Sequence, residues 1–130
     1  MLKSIAPFFI VDDLKTSIDF YCSRLGFKLT YTGGGDGISE DYFGIVQRDS
    51  VMLLLKAISP EIHPEPNHSR HEWARWDAYH YVPDPDALAV EFASRGVMFS
   101  EALKDTEDNL RGFEVKDPDG YVLFFGRPRS

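Results

Sequence analysis

The chain has very little cysteine and comparatively little positive charge, and both shortages restrict its function. A single cysteine, Cys22, excludes an intrachain disulfide framework and is typical of a reducing compartment. Only 14 Lys and Arg residues oppose 21 Asp and Glu residues, so the formal net charge is −7. That balance disfavours nucleic acid as a partner, because binding to phosphates requires clustered cations.

Long apolar runs are also missing. No run approaches the roughly 18 residues that a membrane-spanning helix requires. Residues 1–4 do not contain the apolar core of a signal peptide. We therefore expect a cytoplasmic protein with no membrane partner. At 130 residues the chain has the length of one domain, so we predict a single domain over residues 1–130.

What is present is an internal near-repeat with an offset of about 70 positions. Val11 and Val82 each precede an Asp-containing turn that opens a helical pattern. Gly26 and Gly96 end the two helical patterns. The sequence therefore predicts two modules joined by a long polar loop. The first module, the loop and the second module span about residues 1–57, 58–72 and 73–130.

Each module is predicted to contain one strand, one helix and then three strands. In the first module, apolar residues from Leu14 to Leu25 recur at helical spacing. In the second, Asp84 and Pro85 open the helix. The resulting βαβββ order in both halves predicts an α+β fold. The strands are predicted at residues 4–11, 27–32, 41–47, 51–56, 74–82, 97–100, 110–115 and 121–125.

Alternation in the fifth predicted strand, residues 74–82, divides its side chains between two faces. Trp76 and His80 are predicted on one face, and Asp77 and Tyr79 on the other. His80 is therefore expected to pack in the core or against the helix.

Three histidines, His63, His68 and His71, lie in the polar loop. Imidazoles that are close in sequence can bind zinc. Their spacing matches no common ligand pattern, however, and three prolines keep the segment irregular. A solvated loop is the favoured interpretation, and the role of this loop stays open.

Two motifs near the ends of the chain carry a family resemblance. Their residues are Val11, Asp13, Leu14, Ser17, Phe20, Tyr21, Leu25, Gly26 and Phe27 in the opening motif, and Asp117, Pro118, Asp119 and Gly120 in the closing one. The chain resembles the vicinal-oxygen-chelate superfamily, which includes glyoxalase I, extradiol dioxygenases and bleomycin-resistance proteins. The resemblance spans nearly the whole chain and implies two tandem βαβββ modules that form a curved mixed sheet with a central groove. Because this scaffold hosts several chemistries, the resemblance specifies the fold better than the activity.

The resemblance also implies where a metal site would lie. Enzymes of this family hold a divalent metal with ligands from four equivalent strand positions, which correspond here to Ala6, Leu54, Asp77 and Phe124. Only Asp77 has a side-chain donor atom, and one carboxylate cannot replace several His and Glu ligands. We therefore expect no metal and no other cofactor, and metal-dependent glyoxalase and dioxygenase mechanisms lose their main support.

With those ligands replaced, the inward face implied by the same correspondence is apolar and aromatic with one acid. Such a lining is typical of small-molecule sites, although the same residues could equally pack the core. Asp77 would pair with a cationic group, and the rings of Tyr79 and Trp73 would add stacking and cation–π attraction. The predicted ligand-binding residues are Phe8, Phe43, Leu54, Trp73, Asp77, Tyr79 and Phe124.

This pattern is most similar to the metal-free bleomycin-resistance branch. We expect a protein that binds a small aromatic or cationic molecule, with sequestration of an antibiotic as one role, and we assign no catalytic residue. The alternative is a metal-dependent lyase, isomerase or dioxygenase, or an acid–base reaction through Asp77 and Tyr79. A regulatory or partner-binding domain is a third interpretation. A homodimer, swapped or unswapped, is also expected.

Overall fold

The structure is a computed structural model that describes residues 1–36 and 40–129. The chain divides into two units, Met1–Glu65 and Pro66–Ser130. The division falls inside the polar loop that the sequence predicts at residues 58–72. Each unit contains a four-stranded mixed sheet, which confirms the predicted α+β class. Among the described residues, no helix is long and apolar enough to cross a membrane.

The first unit follows the predicted βαβββ order. In its sheet, ordered β1-β4-β3-β2, β1 pairs with β4 in parallel and the other pairs are antiparallel. Asp13 caps the helix, because its Oδ1 accepts a hydrogen bond from the Thr16 amide at 3.2 Å. Of the predicted apolar stripe, Leu14, Tyr21 and Leu25 are buried, and Ile18 and Cys22 are half-buried. The elements are β1 (Phe8–Ile10), α1 (Leu14–Asp19), a π-helical turn (Phe20–Arg24), β2 (Lys28–Gly33), β3 (Phe43–Arg48) and β4 (Val51–Lys56).

The π-helical turn absorbs one residue that the helix of the second unit lacks. Tyr21 corresponds to Phe92 at an offset of 71 positions, whereas the glycines that end the two helices are 70 positions apart. Within the turn, the Leu25 amide donates to the carbonyl of Phe20, five residues back, at 3.3 Å. The wider turn therefore accommodates the extra residue, and the structures of the two halves correspond again beyond it.

The second unit repeats the order, and its sheet is β5-β8-β7-β6 with β5 parallel to β8. Pro85 begins the helix as predicted, and Asp84 caps it by accepting from the Ala87 amide at 3.1 Å. In the predicted closing turn, Asp117 Oδ1 accepts from the Tyr121 amide at 3.0 Å. The elements are a 3₁₀ turn (Asn67–Ser69), β5 (Ala78–Tyr81), α2 (Pro85–Ser94), β6 (Phe99–Asp105), β7 (Leu110–Lys116) and β8 (Val122–Pro128).

The core of the second unit is aromatic and includes one histidine. The ring centroid of Phe113 lies 5.7 Å from that of Phe92 and 5.4 Å from that of Phe125. His80 stacks on Phe125 at 4.2 Å, and its Nδ1 lies 3.1 Å from the carbonyl oxygen of Phe124. Burial lowers the pKa of His80 to about 4, so the ring is neutral at pH 7. The predicted core position of His80 is confirmed.

Several predicted strand boundaries were wrong. β1 covers only Phe8–Ile10 instead of 4–11, and β5 covers only Ala78–Tyr81 instead of 74–82. β6 is longer than predicted, at Phe99–Asp105. Composition suggested each of these boundaries, but a strand extends only as far as its backbone is paired with a neighbouring strand.

Candidate functional site

Equivalent rows of residues cross the sheets of the two units. Phe8 pairs with Leu54 in the first unit in the same way that Tyr79 pairs with Phe124 in the second. The register then continues through the two antiparallel pairs of each sheet. The rows are Phe8, Leu54, Ile45 and Tyr31 in the first unit, and Tyr79, Phe124, Glu114 and Glu101 in the second. The first row is apolar and aromatic, whereas the second contains two carboxylates.

The first unit presents an exposed aromatic cluster around this row. Phe8 is 53% exposed, and its ring centroid lies 6.3 Å from that of Phe43. Phe43 in turn lies 6.0 Å from Tyr31. Leu54 is half-buried opposite Phe8 on the neighbouring strand. The structure therefore brings together Phe8, Phe43 and Leu54, the three predicted ligand-binding residues of this unit.

In the second unit, Phe124 is only 2% exposed. It stacks with Trp76, with ring centroids 4.3 Å apart and an angle of 25° between the planes. Tyr79 also stacks with Phe124, at 5.4 Å. One end of the ring lies against Gly112 and Gly126, where an added Cβ atom would fall 2.6 Å from a ring atom. The predicted residues Tyr79 and Phe124 thus form a three-ring group with Trp76.

The position of Trp76 corrects the alternation predicted from sequence, which put it on the face of His80. Because β5 begins at Ala78, strand alternation does not extend back to Trp76. Its Nε1 donates a hydrogen bond to Glu114 Oε2 at 2.8 Å. The guanidinium of Arg75 lies 5.1 Å from the centre of the indole. Trp76 therefore connects the aromatic rings to a carboxylate.

Asp77 follows Trp76 in the chain, and both of its carboxylate oxygens accept hydrogen bonds from backbone amides. Its Oδ1 accepts from the Asn67 amide and its Oδ2 accepts from the Val122 amide, both at 2.8 Å. The Asn67 side chain also donates to the carbonyl of Trp76 at 3.0 Å. Asp77 thus attaches the segment around the 3₁₀ turn to β8, and its negative charge is held by hydrogen bonds to two amides.

Trp73, the remaining predicted residue, does not join the three-ring group. It is 82% exposed, and its ring contacts His71 at 5.3 Å. It does border a shallow depression of about 340 Å³ together with Trp76 and Asp108.

A cleft of about 670 Å³ lies on the sheet of the second unit. Val122 and Phe124 are the apolar residues whose side chains border it, and both are almost completely buried. Some of its charges are paired, because Lys104 lies 3.2 Å from Glu101 and Arg75 lies 3.4 Å from Asp108. The cleft is more polar than the apolar trough predicted from sequence. Its six acidic side chains outnumber three basic ones, and they are Glu72, Glu101, Asp105, Glu107, Asp108 and Glu114.

The sequence analysis missed Glu114, Glu101 and Trp76. A signal for Glu114 was available, because Phe113 and Val115 on either side of it are apolar and both are fully buried. Alternation then requires Glu114 to point to the opposite face. No comparable signal existed for Trp76, which lies in irregular chain before β5.

The four positions that correspond to the family's metal ligands do not fit a divalent metal. Ala6, Leu54 and Phe124 have no donor atom, and both oxygens of Asp77 accept from backbone amides. Within residues 1–36 and 40–129, no group of three or more His, Cys, Asp or Glu residues could hold a metal ion. The loop histidines bond elsewhere; for example, His68 Nε2 lies 2.8 Å from the carbonyl oxygen of Gly120.

Comparison with known proteins identifies one family and several similar structures. Residues 3–125 match the family model of the Glyoxalase/Bleomycin resistance protein/Dioxygenase superfamily. A lactoylglutathione lyase from Pseudomonas putida is 27% identical over 143 residues, covering 85% of this chain and 76% of that protein. A bleomycin-binding protein in complex with bleomycin has a TM-score of 0.71 at 21% identity, covering 97% of this chain and 98% of the other. TnmS3, an antibiotic-binding protein from Streptomyces sp. CB03234, has a TM-score of 0.67 at 24% identity, with 98% of both chains covered.

Proposed function

The chain belongs to the glyoxalase/bleomycin resistance protein/dioxygenase superfamily, and on that premise we propose that it binds and sequesters a small aromatic or cationic molecule without using a metal ion. The observation that carries this proposal is the position of Glu114 beside the rings of Trp76, Phe124 and Tyr79, in the acid-rich cleft of the second unit.

The chemistry of this cleft suits a flat ligand with positive charge. Its volume of about 670 Å³ lies within the roughly 300–1,000 Å³ usual for small-molecule sites. Aromatic faces attract a cation by about 0.5–2 kcal/mol, and a carboxylate such as Glu114 adds a charge-assisted hydrogen bond. The excess of carboxylates also raises the local concentration of cations.

The site residues predicted from sequence enter this proposal with distinct roles. Tyr79 and Phe124 belong to the aromatic group beside Glu114, and Asp77 contributes fixed negative charge while it holds the segment of Trp76. Trp73 supplies an exposed ring at the border of the neighbouring depression. Phe8, Phe43 and Leu54 form a separate apolar and aromatic surface of the first unit, which suits an uncharged aromatic group.

Similarity to proteins that bind bleomycin and other antibiotics supports sequestration as the role. We also propose that the protein is a homodimer, because the first unit exposes Phe8, Tyr31 and other aromatic side chains that a second copy would cover. The cytoplasmic location stays a prediction from the sequence.

Binding of a matched pair of ligands to protein treated with a chelator tests the proposal. 9-Aminoacridine and 9-anthracenecarboxylate have the same three-ring size and opposite charge. We expect the cation, but not the anion, to raise the unfolding temperature and to give a calorimetric Kd. Glu114→Gln should weaken its binding about tenfold, whereas Glu91→Gln on α2 is the matched control. Binding of neither compound, or binding only after metal is added, would refute the proposal.

A metal-dependent lyase is the second candidate, favoured by the lactoylglutathione lyase from Pseudomonas putida. The residues at Ala6, Leu54 and Phe124 argue against it, because they offer no metal ligand. Elemental analysis of the purified protein and an assay with lactoylglutathione in the presence of Zn²⁺ or Ni²⁺ distinguish the candidates. Stoichiometric metal together with turnover would establish the lyase.

A further inference from the structure

Trp76 occupies the place on Phe124 that a flat ligand would take. We propose that Trp76 is a displaceable internal occupant, and that the ligand binds by removing the indole and taking over its stack on Phe124 and its hydrogen bond to Glu114. This inference rests on the proposed function and narrows the ligand to planar heteroaromatic compounds with an N–H donor or a positive charge at one edge.

The packing of Phe124 is the first step of the argument. Its ring stacks with Trp76 at 4.3 Å and with Tyr79 at 5.4 Å, one end of it lies against Gly112 and Gly126, and only 2% of the residue is exposed. The glycines belong to paired strands of the sheet. A ligand that stacks on Phe124 must therefore replace one of the two rings, and Trp76 is the closer of them.

The polar contact of Trp76 indicates which chemistry replaces it. The indole N–H donates a hydrogen bond to Glu114 Oε2 at 2.8 Å. A ligand that replaces the indole must therefore supply one hydrogen-bond donor to this carboxylate. Glu101 lies directly opposite Glu114 in the pairing of β6 with β7. A cationic heteroaromatic compound would gain attraction to both carboxylates, which the neutral indole does not have. An anionic compound of the same shape would be repelled.

The backbone around Trp76 allows the side chain to leave without unfolding the segment. Trp76 precedes β5, so its backbone is not part of a strand ladder. The next residue, Asp77, is held by the amides of Asn67 and Val122, and the Trp76 carbonyl accepts from the Asn67 side chain. Displacement of the indole therefore calls for a new side-chain rotamer of Trp76 and leaves these backbone hydrogen bonds in place.

Displacement predicts that removing the indole strengthens binding. The closed state competes with the ligand, and the observed Kd rises by the inverse of the open fraction. A ring stack and a hydrogen bond to a charged group each stabilise the closed state. We therefore expect Trp76→Ala to tighten binding of 9-aminoacridine about tenfold, and Trp76→Phe to tighten it about threefold. If Trp76 instead were one wall of the ligand site, both substitutions would weaken binding.

The experiment uses Trp73→Phe as the background, because the chain has two tryptophans and this change leaves Trp76 as the only indole. Affinities are measured by calorimetry for the background and for its Trp76→Ala and Trp76→Phe derivatives. Met98→Ala, an exposed apolar side chain outside the cleft lining, is the control. In the background protein, saturation with 9-aminoacridine should shift the Trp76 emission to longer wavelength as the indole enters water. Calorimetry is the deciding measurement, because the dye can also quench the indole.

The outcomes separate this inference from the function on which it rests. Tighter binding in the Trp76 variants supports displacement, and the Phe variant keeps the test informative if the Ala variant does not fold. Weaker or unchanged affinity in the variants overturns displacement alone, while binding to the background protein preserves the proposed function. If 9-aminoacridine binds neither the native protein, measured alongside, nor any of these variants, the proposed function fails and this inference fails with it.

Discussion

Gly112 and Gly126 face each other across β7 and β8, and the ring of Phe124 lies over the pair. The two glycines leave the space that the end of this ring occupies. Trp76 stacks on the ring with centroids 4.3 Å apart. The aromatic floor of the cleft thus depends on two residues that have no side chain.

Gly112→Ala is expected to lower the free energy of unfolding by about 1–3 kcal/mol. The added Cβ atom would clash with the backbone oxygen of Phe125, and would fall 2.6 Å from Phe124 Cζ and 2.9 Å from the Cα of Gly126, so strand backbone and ring must both shift. Urea unfolding measures the change. Gly44→Ala is the control, since its Cβ atom would meet the flexible end of Ile18 at 3.2 Å. Equal losses in the two variants would contradict this account of the packing at Gly112.

Asp77→Asn is expected to destabilise the second unit by about 1–3 kcal/mol. The carboxylate accepts from the amides of Asn67 and Val122, whereas asparagine would turn an NH₂ group toward one of these donors. The segment that carries Trp76 should also loosen, so trypsin should cleave after Arg70 and Arg75 faster than in the native protein. Glu107→Gln, at an exposed position of the same unit, should leave both measurements nearly unchanged. Native-like cleavage of the Asp77 variant would show that the two hydrogen bonds accepted by Asp77 are not needed to hold this segment.

Stability is expected to fall as the pH drops from about 6.5 to about 4, because of His80. Burial lowers the pKa of this histidine from its ordinary value of 6.5 to about 4 in the folded chain. The unfolded chain therefore binds a proton in this range that the folded chain does not, and the loss reaches about 3 kcal/mol at most. Urea titrations at several pH values test this.

A His80→Gln variant should lose this part of the pH dependence, whereas His71→Gln, at an exposed position, should keep it. Unchanged pH dependence in the His80 variant would assign the effect to other groups. Carboxylates that titrate near pH 4 contribute equally to both variants, so the comparison isolates the histidine.

Deletion of Ser23 is expected to convert the π-helical turn into ordinary α-helix with little loss of stability, about 1 kcal/mol or less. The second unit reaches its terminal glycine with one residue fewer, so the shorter helix is compatible with this fold. Deletion of Ser94 from the regular helix α2 is the control and should be far more damaging. Circular dichroism and urea unfolding compare the two, and equal damage would mean that the π-turn is required.

The element order and the helix boundaries could be predicted because their causes are local. Aspartates at Asp13 and Asp84 satisfy free amides at the starts of the helices, and Gly26 and Gly96 have positive φ angles where the helices end. The same signals recur in both halves at an offset of about 70 positions. This repeat predicted that both halves have the βαβββ order.

The candidate site was predicted only in part, because its chemistry depends on register. The correspondence with the family's ligand positions, together with strand alternation, identified Phe8, Leu54, Tyr79 and Phe124, which occupy equivalent rows. Glu101 and Glu114 are 13 positions apart in sequence, and only the pairing of β6 with β7 makes them neighbours. The segment that carries Trp76 could not be predicted either. It follows a long polar loop, and its fold depends on two hydrogen bonds that Asp77 accepts.

The sequence by itself determined the α+β class, the repeated order of elements and the lack of donor atoms at Ala6, Leu54 and Phe124, because caps, periodicity and side-chain chemistry are properties of individual residues. Only the tertiary structure decided that Trp76 covers Phe124 and that its N–H reaches Glu114. Those contacts join segments separated by about 40 positions, and close packing over Gly112 and Gly126 selects the one arrangement that fits.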